Sequence, residues 1–130
     1  MPNEIDQLRI GFPARPGYLV VGRLNAAAVG AAAGFDVEEL DDLRLAVTEA
    51  LTWLLADDEV GGEVTLTLDA SDGVVEIVGV RTGEALAPVG VDDLVEAILG
   101  ATVDDFQLDE SESGRRRIRL SKAKAAVDAV

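Results

Sequence analysis

Residues 43–55 read LRLAVTEALTWLL, an almost wholly apolar run with a single carboxylate, Glu49, near its centre. The run belongs to a longer pattern of apolar residues at three- and four-residue spacing, which predicts an amphipathic helix. The members of this apolar stripe are Leu40, Leu43, Val47, Leu51 and Leu54. Asp36 is of the residue type that begins helices, and Glu39 three residues later completes the pattern of a capping box. The sequence therefore predicts one long helix that starts at Asp36 and packs its apolar stripe on a core.

A second side of this helix carries Glu49. Leu45 and Trp53 lie on that side, four residues before and four residues after the carboxylate. Because a buried carboxylate costs free energy unless it is paired, Glu49 is either the working base of a site or a relic that is exposed or bonded to its neighbours. We interpret Trp53 as a side chain that fills space, with stacking on a ligand as the alternative.

The rest of the chain predicts strands before and after this helix. The predicted elements are a strand ending at Pro13, a helix between Pro16 and Gly34, strands over 63–70 and 73–80, a helix over 92–99, and strands over 102–111 and 114–122. With this order of elements, few neighbouring strands can be joined by the crossover connection that parallel strands require. The predicted fold class is α+β, a two-layer sandwich with helices on one face of a mixed, mainly antiparallel sheet. We expect a single domain over residues 1–122 and a frayed tail over residues 123–130.

The composition excludes several classes of function. The 130 residues include no cysteine and no histidine, which excludes disulfides, thiolate or imidazole metal sites and Ser-His catalysis. A formal net charge of -14, from 25 acidic and 11 basic residues, repels nucleic acids and anionic membranes and favours capture of a basic protein segment. No apolar run reaches the roughly 20 residues of a membrane span, and the N-terminus lacks signal-peptide features, so we predict a cytoplasmic protein.

Two other features allow more than one interpretation. Residues 115–124 hold six of the eleven basic residues. Their alternation with Ile118 and Leu120 favours a solvated strand face, with ion partners in DESES (residues 109–113), over a nucleic-acid or protein-docking patch. The small-residue run AAAVGAAAG, residues 26–34, predicts close packing of one helix on another, with part of a partner interface as the alternative.

Residues 12–55, in this order of elements, resemble the N-terminal half of the anti-sigma-factor serine kinases, and residues 114–122 resemble the last strand of that family. The family is part of the GHKL ATPases, which have the Bergerat, or histidine-kinase-like, ATPase fold. Glu49, Ala50 and Trp53 stand where the family's N-box reads E-A-x-x-N. The resemblance implies that Glu49 is the general base and that residue 53 holds Mg²⁺ against ATP phosphates. Trp53 cannot do so, because an indole has an N–H donor and no oxygen.

Two further parts of the family's nucleotide site are altered in this chain. Where the family reads D-x-G-x-G, Arg81 replaces the aspartate that recognises the adenine amino group, and Gly83 matches the first glycine. Arginine offers that amino group no acceptor. About ten residues separate Arg81 from the helix over 92–99, and they lack the glycine-rich lid motif G-x-G-L. The resemblance therefore implies a degenerate member, with Glu49 as a relic base, no metal ligand, no expected cofactor, and three degenerate nucleotide-site positions: Trp53, Arg81 and Gly83.

From this resemblance we expect a regulatory binding protein of a bacterial partner-switching pathway, a pseudokinase without kinase activity. Its partner would be a sigma factor, an anti-sigma-factor antagonist or a homologous kinase, and a homodimer is plausible for the family. Nucleic acid and membranes are not expected as partners. Two alternatives stay open. The first is an active serine/threonine protein kinase and anti-sigma factor that uses Mg-ATP, and the second is a small-molecule sensor with a remodelled pocket beneath Trp53.

Overall fold

A computed structural model describes residues 5–57, 61–83, 88–111 and 115–125. A single turn of 3-10 helix, Pro16–Tyr18, precedes the first helix. The elements are β1 (Ile5–Pro13), α1 (Leu19–Ala32), α2 (Val37–Leu54), β2 (Glu63–Ser71), β3 (Val74–Thr82), α3 (Asp93–Thr102), β4 (Asp105–Glu110) and β5 (Arg116–Ala123). The five strands form one sheet in the order β1-β2-β3-β5-β4. In the described part of the chain, no helix is both long and apolar enough to cross a membrane.

The predicted α+β sandwich is confirmed, but the sheet is simpler than the expected mixed one. Every strand pairing among the described residues is antiparallel. Two helices, α1 and α2, lie between β1 and β2 in the chain. Together they bring the chain back to the end of the sheet at which β1 finishes, so β2 runs antiparallel to β1. The single helix α3 connects β3 to β4, and these two strands run in the same direction. They do not pair with each other, because β5 lies between them in the sheet.

Two glycines of α1 allow this helix to pack closely on α2. A Cβ atom at Gly22 would overlap Leu51 Cδ1, and one at Gly30 would lie 2.9 Å from Leu40 Cδ2. Two carbon atoms that are not bonded to each other cannot approach as closely as either contact would require. The close packing expected from the small residues of this helix is therefore confirmed, and the glycines sit at the points of contact.

The predicted capping box at the start of α2 is also confirmed. The Asp36 carboxylate accepts a hydrogen bond from the Glu39 amide at 2.8 Å, and Glu39 Oε1 accepts one from the Asp36 amide at 2.9 Å. The other oxygen, Oε2, accepts from the Ala125 amide at 2.6 Å. Residues 123–125, expected at the start of a frayed tail, are thus anchored on α2, while residues 126–130 lie outside the described residues.

The helix α3 is longer than predicted. Asp92 caps it by accepting from the Leu94 amide at 2.7 Å, and the helix continues through Gly100 to Thr102. The Thr102 hydroxyl donates to the Ile98 carbonyl at 2.7 Å, and the Val103 amide donates to the Leu99 carbonyl. Because these bonds satisfy the last turn, the glycine does not end the helix.

Glu39→Gln is expected to make stability less sensitive to acid. Hydrogen bonds from the Asp36 and Ala125 amides hold the pKa of Glu39 below its ordinary value of 4.5, and Lys122 and Lys124 act in the same direction. A carboxylate with a lowered folded-state pKa stabilises the fold above its unfolded pKa and loses that contribution as the pH falls through the folded pKa. Glutamine keeps the capping box but does not titrate.

Urea unfolding as a function of pH measures this effect. Below about pH 4.5, the free energy of unfolding should fall less steeply in Glu39→Gln than in the wild-type protein. Glu38→Gln, a change at the adjacent exposed position, is the matched control and should keep the wild-type slope. Equal slopes in all three proteins would contradict the assignment.

Candidate functional site

Trp53 lies at the C-terminal end of α2, where its indole is 6% exposed. The indole Nε1–H donates to the Gly90 carbonyl at 2.7 Å. Segment 88–91, which precedes α3, is therefore held against the end of α2. Buried tryptophans usually find a partner for this N–H group, and here the partner is backbone.

Glu49 lies one helical turn before Trp53 on the same side of α2 and is half-buried. Leu45, one turn earlier, is exposed. The second side of α2 is thus apolar only at its C-terminal end, which is less extensive than the sequence suggested. Among the residues that the structure describes, no group of three or more carboxylates could hold a metal ion.

Arg81 is buried at the end of β3, with 1% of its side chain exposed. It continues the inward-facing alternation of that strand. Its guanidinium donates to four backbone carbonyls at and beyond the end of α2: Leu54 at 3.1 Å, Ala56, Asp57 at 2.8 Å and Gly61 at 2.8 Å. The last carbonyls of a helix lack partners within the helix and carry partial negative charge. Arg81 therefore caps α2 from the neighbouring strand.

Arg116 is a second buried arginine, also 1% exposed, and the interpretation of residues 115–124 as a solvated face is wrong for it. Its guanidinium donates to the Ala56 carbonyl at 2.8 Å and to Asp57 Oδ2 at 3.0 Å. Its Nε donates to Glu110 Oε2 at 3.4 Å, and its Cζ lies 5.9 Å from the centre of the Trp53 ring. This arrangement is a cation–π contact supported by two carboxylates.

The neighbours of Arg116 follow the prediction in part. Arg117 pairs with Asp109, within residues 109–113 as expected, but Arg119 pairs with Asp105, which lies earlier in β4. The position of Arg116 in the strand pattern already indicates that it differs from its neighbours. Side chains two residues apart in a strand share a face, so Arg116 had to lie on the same face as Ile118 and Leu120, which is the core face.

Arg81 and Arg116 are directly opposite each other in the β3–β5 register. Two like charges at this spacing would repel, but Asp57 and Glu110 supply two opposite charges to Arg116, and backbone carbonyls accept hydrogen bonds from both arginines. We call these four residues the arginine cluster. Sequence reasoning identified Arg81 but missed Arg116, Asp57 and Glu110.

Glu110 also binds segment 88–91. Its two carboxylate oxygens accept from consecutive amides, Oε2 from Val89 at 3.0 Å and Oε1 from Gly90 at 2.8 Å. The segment is therefore held on one side by Trp53 and on the other by Glu110.

Gly83 lies at the end of β3, outside the arginine cluster. Its φ is 140°, and a Cβ atom there would lie 2.7 Å from the Gly62 Cα atom. Close approach of two backbone segments thus accounts for a glycine at this position. Residues 84–87, which follow it in the region compared with the nucleotide lid, lie outside the described residues.

Comparisons with known proteins place this geometry in context. The chain is 32% identical over 80 residues to the serine-protein kinase RsbW of Listeria innocua, a match that covers 59% of this chain and 51% of that protein. It is 27% identical over 126 residues to the RsbW of Bacillus subtilis, covering 85% of this chain and 79% of that protein. The chain thus spans about half the length of the first of these relatives. No family model matches it.

The structure is similar to the crystal structure of the RsbU and RsbW domains of Rv1364c from Mycobacterium tuberculosis. The TM-score is 0.68 at 18% sequence identity, and the match covers 95% of this chain and 35% of that chain. This similarity confirms the fold. The sequence relatives are named serine-protein kinases, and this confirms the resemblance to the anti-sigma-factor serine kinase family: the chain is similar to RsbW.

Proposed function

We propose that this RsbW-like chain is an anti-sigma regulatory protein that acts by protein–protein binding in a bacterial partner-switching pathway, without kinase activity. Its partner is a sigma factor, an anti-sigma-factor antagonist or a homologous kinase. The observation that carries the proposal is the buried Trp53 indole, which stands at the N-box asparagine position and is bonded to Gly90.

The loss of kinase activity follows from the chemistry of phosphoryl transfer. Protein groups and Mg²⁺ must position ATP and neutralise the charge that develops on its phosphates. Mg²⁺ prefers oxygen ligands in an octahedral arrangement, which an indole does not supply. Glu49 alone provides neither the metal ligand nor the positioning.

Arg81 supports the same conclusion. Four of its hydrogen bonds go to backbone carbonyls of residues 54–61, so the guanidinium has a structural role in this fold. A guanidinium has no acceptor for an adenine amino group. Arg116, packed over Trp53, adds a second bulky side chain to the same region.

The α1 surface supports partner binding. Two arginines, Arg23 of α1 and Arg44 of α2, line a groove on this surface, in a chain whose net charge is -14. Leu24 is 66% exposed and Val20 is 51% exposed, and both line an open groove of about 220 Å³ with Arg23. An exposed apolar patch of this kind is typical of interaction sites. This face suits a partner with apolar and acidic groups, which differs from the basic segment expected from the net charge.

Isothermal titration is expected to show no Mg-dependent binding of ATP to this chain. The Bacillus subtilis RsbW relative, titrated under the same conditions, is the positive control. In the same instrument, a sigma factor or antagonist from the same organism is expected to bind without nucleotide. Micromolar, Mg-dependent ATP affinity, or transfer of phosphate to the antagonist, would overturn the proposal and favour the active-kinase alternative.

A further inference from the structure

Segment 88–91, whose residues 88–90 are exposed, lies against a ring of side chains that come from three different elements. Trp53 of α2 donates to the Gly90 carbonyl, and Glu110 of β4 accepts from the Val89 and Gly90 amides. Arg116 of β5 closes the ring, because it donates to Glu110 Oε2 and packs against the Trp53 indole. Both polar groups of the Gly90 backbone are therefore bound by side chains from outside the segment.

The bonds in this ring differ in strength. A carboxylate that accepts two N–H groups makes charge-assisted hydrogen bonds, which are stronger than bonds between neutral groups. Arg116 lies between Glu110 and Trp53 and has 1% of its surface exposed, so its charge is poorly screened by water. Removal of one member should weaken the others because the groups share partners.

We infer that Trp53, Glu110 and Arg116 form an internal clamp that holds segment 88–91 against the end of α2 in the absence of any ligand. The segment leads directly into Asp92, the residue that caps α3, so the clamp fixes the start of that helix. The placement of α3 is then independent of nucleotide. The inference rests on the proposed function in one respect, because it takes this region to be filled by protein side chains.

Hydrogen exchange measured by NMR, without nucleotide, tests the clamp. In Glu110→Gln, the Val89 and Gly90 amides are expected to exchange about tenfold faster or more, because one amide oxygen cannot replace two carboxylate oxygens. The decisive signal is the indole N–H of Trp53, the single tryptophan of the chain. Its exchange should also accelerate, although Glu110 does not bond to it in the ring described above. Asp109→Asn, the adjacent position on the opposite face of β4, is the matched control and should leave all three signals unchanged.

Two results would overturn the clamp. One is unchanged exchange at Val89 and Gly90 in Glu110→Gln. The other is acceleration of those amides with an unchanged indole signal, which would show separate bonds without coupling. Where Glu110→Gln does not fold, Trp53→Phe keeps an aromatic ring but removes the Nε1–H donor, and the two amides should again exchange faster.

The same spectra separate this inference from the proposed function. Mg-ATP added to the wild-type protein is expected to leave the three exchange rates unchanged. Slower exchange with Mg-ATP would overturn the non-kinase proposal, while the comparison of Glu110→Gln with Asp109→Asn would still decide the clamp.

Discussion

Arg81→Ala is expected to lower the free energy of unfolding by about 3–5 kcal/mol. The change removes hydrogen bonds to four carbonyls of residues 54–61, of which the Leu54 carbonyl is buried and the other three are partly buried. Urea denaturation followed by circular dichroism measures the loss.

Arg9→Ala is the matched control for this prediction. Arg9 is also a strand arginine, but it is exposed, so its truncation should change stability by less than about 0.5 kcal/mol. Arg81→Lys is expected to fall between the two variants, because one ammonium group cannot reach all of the carbonyls. A loss below about 1 kcal/mol in Arg81→Ala would contradict the capping role of Arg81.

Trp53→Asn is expected to destabilise the fold by about 3–5 kcal/mol, the range of large-to-small changes at buried aromatic positions. The variant loses the apolar contacts of the indole, the donor to Gly90 and the aromatic face on which Arg116 packs. If the indole alone blocks the metal position, Mg-ATP affinity should appear in the same variant. Thermal and urea unfolding measure the first effect, and calorimetric titration measures the second.

Trp53→Phe serves as the control, since it keeps most of the aromatic area and loses only the Nε1–H donor. Its cost should be about 1–2 kcal/mol, that of a lost hydrogen bond with a smaller loss of volume. Unchanged stability in Trp53→Asn would show that the indole does not fill the region, and the filling interpretation would fail.

The fold could be predicted from the sequence because its main signals are local. The capping box at Asp36 and Glu39, the apolar stripe of α2 and the turn before Val74 each depend on residues close together in the chain. The strand order could not be predicted, since it depends on which strands pair after long connections. The resemblance to a known family supplied the overall architecture.

The candidate site was only partly predictable. Trp53 and Arg81 were identified through the family's motifs. These motifs show that the metal-binding asparagine and the adenine-binding aspartate are absent, but they do not show which contacts the replacing side chains make. The bonds from Arg81 to residues 54–61 join groups that are 20 to 27 positions apart, and the bond from Arg116 to Ala56 spans 60 positions. No local pattern specifies such pairs. Arg116 shares a strand face with Ile118 and Leu120, and this position was a sign of burial that our interpretation of residues 115–124 overlooked. Its partners could be found only from the structure.

The two glycines at the contact of α1 with α2 limit how this surface can change over evolution. At Gly22 and Gly30 even a methyl group would collide with leucine side chains of α2. Substitution there would force these leucine side chains to shift or push the two helices apart. Natural variants should therefore keep glycine at these two positions while the outward-facing residues of α1 vary. The choice of partner can then change while the packing of α1 on α2 stays the same.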